Sequence, residues 1–212
     1  QDPIELVERS VRDRDPPRAV LVLDLDLGAE LPLEARLEID RGKWQDALTA
    51  LDESFLATSP ASAATLATGV YHVYSTASGD ATNPMFDPSP RALVAHPSFQ
   101  LDAQKRADNT ADLRTAKVAI STVTLTSQGV SSNQRLNLAA TNAASVAIIR
   151  NEELILMRAE ANANLGNRAA AIADLNVVRT VAGGLPALDA SYAGSLIDEV
   201  LMYAHVKVTL DP

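Results

Sequence analysis

The stretch Met157–Arg179, MRAEANANLGNRAAAIADLNVVR, constrains the fold more than any other part of the chain. Apolar and small residues recur at spacings of three and four on both sides of one glycine, the pattern of two amphipathic helices joined by a tight turn. Gly166 supplies the left-handed backbone that closes the first helix, a conformation in which a side chain is strained. Alanine dominates the inner faces, so two such helices can approach closely and form a thin slab. The chain as a whole suits such a slab. It is 47% hydrophobic but only 4% aromatic, so its core must be built from Ala, Leu, Val and Ile.

A second copy of this pattern lies upstream in LEARLEIDRGKWQDALTALDESFL. Setting Gly42 over Gly166, an offset of 124 residues, places Ala35 on Ala159, Ala47 on Ala171, Leu48 on Ile172 and Leu51 on Leu175. Small residues recur where antiparallel helices come closest, and large ones where the hairpin faces a neighbour. Trp44 supplies an aromatic soon after the first turn, at a position expected to be core, and Arg168 stands there in the second. Small residue, Gly turn, aromatic, then Ala and a bulky residue is the grammar of tetratricopeptide-like pairs. An uninterrupted array would repeat about every 34 residues; here a long excursion separates the copies.

That excursion, residues 57–147, is rich in Ser, Thr, Ala, Gly and Pro. Pro60, Pro84, Pro88, Pro90 and Pro97 each interrupt a helix. GVYHVYS alternates like a strand, as does Lys117–Thr126. LDAQKRADNTADLR reads as the start of a helix, and SSNQRLNLAATNAAS as a polar loop. The expected architecture is one mainly α domain over 1–212, with tetratricopeptide-like hairpins, long irregular loops and a minor short-strand component. Its parts are 1–32 unassigned, 33–56 the first hairpin, 57–147 the excursion, 148–184 the second hairpin, and 185–212 a C-terminal helix starting near Ser191.

Charge and composition exclude several classes. A net charge of −9 gives little with which to neutralise phosphates, so nucleic acid is not an expected partner. With no cysteine, disulfides, thiolate metal sites and thiol catalysis are excluded. The longest apolar run, Ala19–Leu23, falls far short of the roughly 20 residues that span a bilayer, so no transmembrane segment is expected. Nothing at the start resembles a signal peptide.

The order and wording of these segments resemble the SusD/RagB-like family of outer-membrane nutrient-binding proteins. RGKWQDALTALDESFL is similar to that family's central repeat helices, and GVYHVYSTASGDATNPMF to the loop that follows them. HPSFQLDAQKRADNTADLRTAKV is similar to the later segment leading into a strand. The fullest likeness is Ile149–Gly184, with its Arg-x-Glu-Glu helix, Leu-Gly turn and Asn-x-x-Arg-x-x-Ala-Gly ending. The resemblance implies a helical scaffold whose irregular loops hold the ligand, with no cofactor and no catalysis. It also implies an oligosaccharide or peptide ligand, a SusC-like TonB-dependent transporter as partner, and a surface-exposed place on the outer membrane. Family members are longer and carry a lipid-anchoring cysteine, so the chain reads as a central to C-terminal part. The alternative is a tetratricopeptide-like adaptor that binds another protein on its concave face.

Within that reading the ligand-contact candidates are Tyr71, Tyr74 and Phe86, the clustered aromatics outside clear helices. Aromatic faces stack on apolar sugar faces while neighbouring polar groups bond the hydroxyls. Other chemistries leave weaker traces. LVLDLDLG is similar to the opening of haloacid-dehalogenase-type phosphatases, with Asp24 as nucleophile and Asp26 as general acid. No later Ser/Thr, Lys and acidic pair follows in the required order. Asp80, Asn83 and Asp87 could cradle Ca²⁺ but lack the Ca-loop pattern. His72, His96 and His205 sit in unrelated contexts, and neither HExxH nor GxSxG occurs. Arg150, Glu152, Glu153, Arg158 and Glu160 are placed to pair along one helix as scaffold.

Overall fold

A computed structural model describes residues 28–86, 94–127, 129–136 and 139–208. The LVLDLDLG stretch with Asp24 and Asp26 lies outside these residues, as do Asp87 and the side chain of His205. Seven helices occur among the described residues: α1 Glu30–Asp40, α2 Trp44–Asp52, α3 Ala63–Ala67, α4 Ser98–Leu101, α5 Asn151–Asn164, α6 Arg168–Val181 and α7 Leu196–Val208. Four strands, β1 Gly69–His72, β2 Val118–Ser127, β3 Val130–Leu136 and β4 Val146–Arg150, form two antiparallel pairs, β1 with β4 and β2 with β3. The fold is mainly helical with a small sheet component. No helix among the described residues is long and apolar enough to cross a membrane.

Both expected hairpins form, α1–α2 and α5–α6, and their turns are closed in the same way. In the first, Gly42 N–H donates to Ile39 O (2.9 Å) and Lys43 N–H to Glu38 O (2.8 Å). In the second, Gly166 N–H donates to Ala163 O (3.2 Å) and Asn167 N–H to Asn162 O (2.8 Å). This double closure satisfies two carbonyls at the helix end and needs a left-handed residue between them. Gly42 and Gly166 provide it, at φ +69° and +81°. Every matched alanine, Ala35 with Ala159 and Ala47 with Ala171, is fully buried, as are Leu51 and Leu175. Trp44 departs from expectation. It is half-buried, outside the core, with its ring folded over the turn at Gly42.

Helix α5 is the axis of the molecule. One side of it, Leu154 and Met157, packs with Ala35, Ala50, Leu51 and Ile149. Its other side, Ile155, Leu156 and Ala159, packs with Ala171, Ile172, Leu175 and Val178 of α6 and with Leu196 and Val200 of α7. Buried on two sides, α5 is the element around which both clusters form, while Glu152, Glu153, Arg158 and Glu160 occupy its remaining surface. At about 1.5–3 kcal/mol for each fully buried aliphatic side chain, these clusters supply much of the driving force for folding. Ion pairs reach between helices where the sequence pattern suggested pairing along one. Arg36 of α1 holds Glu153 of α5 (Nε to Oε1, 2.8 Å), and Arg158 of α5 grips Asp174 of α6 through two bonds of 2.9 and 2.6 Å.

Three local expectations are corrected. The second hairpin begins at Asn151, because Val146–Arg150 pairs with β1 as a strand; its β-branched residues favour that state. Asn151 is fully buried at the junction, and its amide bonds Ala57 N, Ala57 O and Thr65 O. The helix expected from Leu101 onward is absent: α4 ends at that residue, and Asp108 forms a tight turn, its carboxylate accepting from the N–H and hydroxyl of Thr110. Such short side-chain turns compete with helix. Finally, Val130–Leu136 is a strand and not a polar loop: β2 supplies its ladder partner, from Ser127↔Val130 to Val118↔Leu136.

Candidate functional site

The aromatic candidates lie on β1 and the loop that follows it. Tyr71 is about one-third exposed and donates its hydroxyl to Ala67 O at the end of α3. Tyr74 is half-buried, its ring edge-on to His72 at 4.4 Å between centroids. Phe86 is also half-buried, its N–H donating to Asn83 O. The structure thus puts Tyr74 against His72, and no ring contact among the described residues joins Tyr71, Tyr74 and Phe86 to one another.

Asn83 anchors this loop. Its backbone N–H donates to Asn142 O (2.7 Å), its side-chain amide donates to Ala144 O (2.8 Å), and its carbonyl accepts from Met85 N–H (2.8 Å). The side chain is buried and bonded through both its nitrogen and its oxygen, so it staples the loop to the segment before β4. Among the described residues no three His, Asp or Glu side chains group as a metal site.

A concave site that the sequence did not reveal lies elsewhere in the excursion. A cavity of about 380 Å³ opens between α4, the 3-10 turn Leu113–Lys117, the end of β3 and α7. Val94, Ala95, Phe99, Ala103, Leu136 and Met202 form its apolar wall. Beneath it lies a small core of Ala95 and Val118, packed by Phe99 and Leu136. Asp112 and Arg114 line the same cavity. They are bonded to each other and both nearly fully buried, with Arg114 N–H donating to Asp112 Oδ1 (2.8 Å) and Arg114 Nε to the same oxygen (3.0 Å). A buried carboxylate is tolerable only when so bonded.

Behind the cavity a polar cluster fastens the excursion to the scaffold. Arg179 Nη1 donates to Gln104 Oε1 (2.7 Å) and Glu199 Oε2 (3.0 Å), while Tyr192 donates its hydroxyl to Glu199 Oε1 (2.9 Å). The carboxylate of Glu199 pushes the Tyr192 phenol above its ordinary pKa. The end of α6 presses on the cavity from the same side. Leu113 N–H donates to Gly183 O (3.0 Å), and a β-carbon on Gly184 (φ +63°) would lie 2.9 Å from the Leu113 side chain. One on Gly183 would meet Arg179 O at 2.9 Å and Asp112 Oδ2 at 3.2 Å. Gly183-Gly184 is therefore a seat for the 104–113 loop as well as a helix stop.

No protein-family model matches the chain, and no curated protein matches it in sequence. Among solved structures the chain is similar to a SusD superfamily protein from Bacteroides vulgatus ATCC 8482, with a TM-score of 0.52 over 86% of this chain. Identity is 14%, so the likeness is one of fold. The chain spans about half the length of that protein, 48% of it.

Proposed function

We propose that this chain is the nutrient-binding component of a TonB-dependent outer-membrane uptake system. It would capture an oligosaccharide or peptide at the cell surface and pass it to a SusC-like transporter, without catalysing a reaction. The observation that carries this reading is the fold shared with a SusD superfamily protein. The two matched hairpins add to it: α2 and α5 lie side by side and share one core, as neighbouring tetratricopeptide-like pairs do. In this reading the hairpins are scaffold, and the loops from β1 to β4 present Tyr71, Tyr74 and Phe86 to ligand.

Titration calorimetry against neutral oligosaccharides and short peptides tests it. One ligand class is expected to bind, and Tyr71→Ala or Tyr74→Ala to weaken an oligosaccharide about tenfold through lost stacking. Silence from both classes would sink the proposal, and co-purification with a soluble protein partner in place of a transporter would favour the adaptor alternative.

A further inference from the structure

The cavity between α4 and α7 has walls unlike those of a sugar site. A sugar needs unengaged donors and acceptors placed along the wall. Here most of the polar side chains in the lining are already bonded within the protein. Asp112 and Arg114 bond each other, and the Thr115 hydroxyl donates to Asp112 O (2.6 Å). Ser98 Oγ lies 2.8 Å from His96 Nδ1, a nitrogen that also accepts from Ser98 N–H. Gln104 is held on both ends, by Arg179 at its carbonyl and by Glu199 Oε2 (3.3 Å) and Met202 Sδ (3.1 Å) at its amide. What the cavity offers a ligand is mainly apolar: Val94, Phe99, Ala103, Leu136 and Met202.

Its one uncompensated charge is negative. Asp112 and Arg114 cancel, which leaves Asp102, an exposed carboxylate of the lining with no hydrogen bond or ion pair from its side chain among the described residues. The net charge of −9 on the chain adds a long-range field of the same sign. A neutral hydroxylated ligand gains little from either feature. A ligand with an apolar body and an adjacent positive charge gains from both.

We infer that this cavity anchors a peptide, taking one bulky apolar side chain against Phe99, Leu136 and Met202 while Asp102 pairs with a neighbouring ammonium group. The inference rests on the proposed binding role and narrows its ligand from oligosaccharide or peptide to peptide. The volume of about 380 Å³ lies near the lower end for ligand pockets, so it seats a side chain and its flanking backbone and not an extended chain.

Calorimetry with the tripeptide Lys-Leu-Phe, and with maltotriose as the neutral comparison, tests it. The tripeptide is expected to bind, with an affinity that falls as salt is raised. Ala103→Trp, which fills the cavity, is expected to weaken it by at least about tenfold. Asp102→Asn is expected to weaken it a few-fold and to flatten the salt dependence. Far-ultraviolet circular dichroism checks that Ala103→Trp keeps its helices; if it does not, Met202→Trp at the half-exposed rim fills the same space. Tripeptide binding untouched by cavity filling would overturn the inference. Maltotriose bound while the tripeptide is not would overturn it too, yet leave the uptake reading standing. Neither ligand bound by the folded chain would overturn the inference alone, the uptake reading resting on the wider set of oligosaccharides and peptides.

Discussion

Hairpins α1–α2 and α5–α6 are closed by the same two backbone bonds around a left-handed glycine and bury alanine at matching positions. Their surroundings differ. The first is shorter, with helices of 11 and 9 residues, and contributes one face to a cluster of six buried residues. The second has two 14-residue helices, and α5 is buried on both sides. A shared local code can thus be set to different structural tasks. The turn is an internal matter of backbone hydrogen bonding, while the depth of burial depends on what the rest of the chain brings to each face.

The largest expected effect tests that asymmetry. Leu51 and Leu175 occupy equivalent positions and are both fully buried. Truncating a buried leucine costs about 2–5 kcal/mol, more where neighbours cannot collapse into the space. Leu175→Ala, within the larger cluster, is expected near 4 kcal/mol and Leu51→Ala near 3 kcal/mol. Urea denaturation of the two variants gives the comparison, and the reverse order would mean that the first hairpin is the better supported.

A smaller effect tests the shared part. Gly42→Ala and Gly166→Ala each force a side chain into left-handed backbone, at a cost of about 1–2 kcal/mol. Neither new β-carbon would clash with a neighbour. The two losses should therefore agree within about 0.5 kcal/mol, the usual error of additivity arguments. A clear difference in thermal midpoints would show that the turns are alike in geometry but not in energy.

The smallest effect lies where the hairpins meet. Burial, and secondarily the charge of Asp40 at the end of α1, raise the pKa of Glu160 on α5. Because the folded form then holds its proton more tightly, the charged carboxylate weakens the fold at neutral pH. That penalty fades as pH falls through the raised value toward the ordinary one near about 4.3. Glu160→Gln should therefore stabilise the protein at pH 7 by about 0.5 kcal/mol or less, since solvent screens a half-exposed group. The gain should vanish below about pH 4. A gain that grew on acidification would contradict the assignment.

How much of this was legible in the sequence follows from the range of the interactions. Both hairpins were readable because Gly42, Gly166 and the alanines act within one helix pair, and their spacing carries the signal. Strand β2 was readable from its alternation. Strand β3 was not, since SSNQRL has no apolar alternation and owes its conformation to the partner strand. The helix expected to start at Leu101 does not form, and α4 ends at that residue, because the Asp108 turn outweighs the helical spacing around it. The cavity was invisible for a stronger reason. Val94, Phe99, Asp112, Leu136 and Met202 come from segments scattered over about half the chain, and no local pattern marks any of them as a wall. Tyr71, Tyr74 and Phe86 drew notice as aromatics grouped in a loop, whereas Phe99, alone farther along the same excursion, did not.

The seat at Gly183-Gly184 makes the shape of the cavity a property of the scaffold. Because the 104–113 loop rests directly on the last turn of α6, the position of Asp112 is set by where that helix stops. A methyl group on Gly183 would crowd Asp112 Oδ2 at 3.2 Å, and so would press on a lining residue from outside the cavity. Loops that differ in sequence could then be exchanged on the same hairpin without losing their reference height, much as interchangeable tools are held by one chuck.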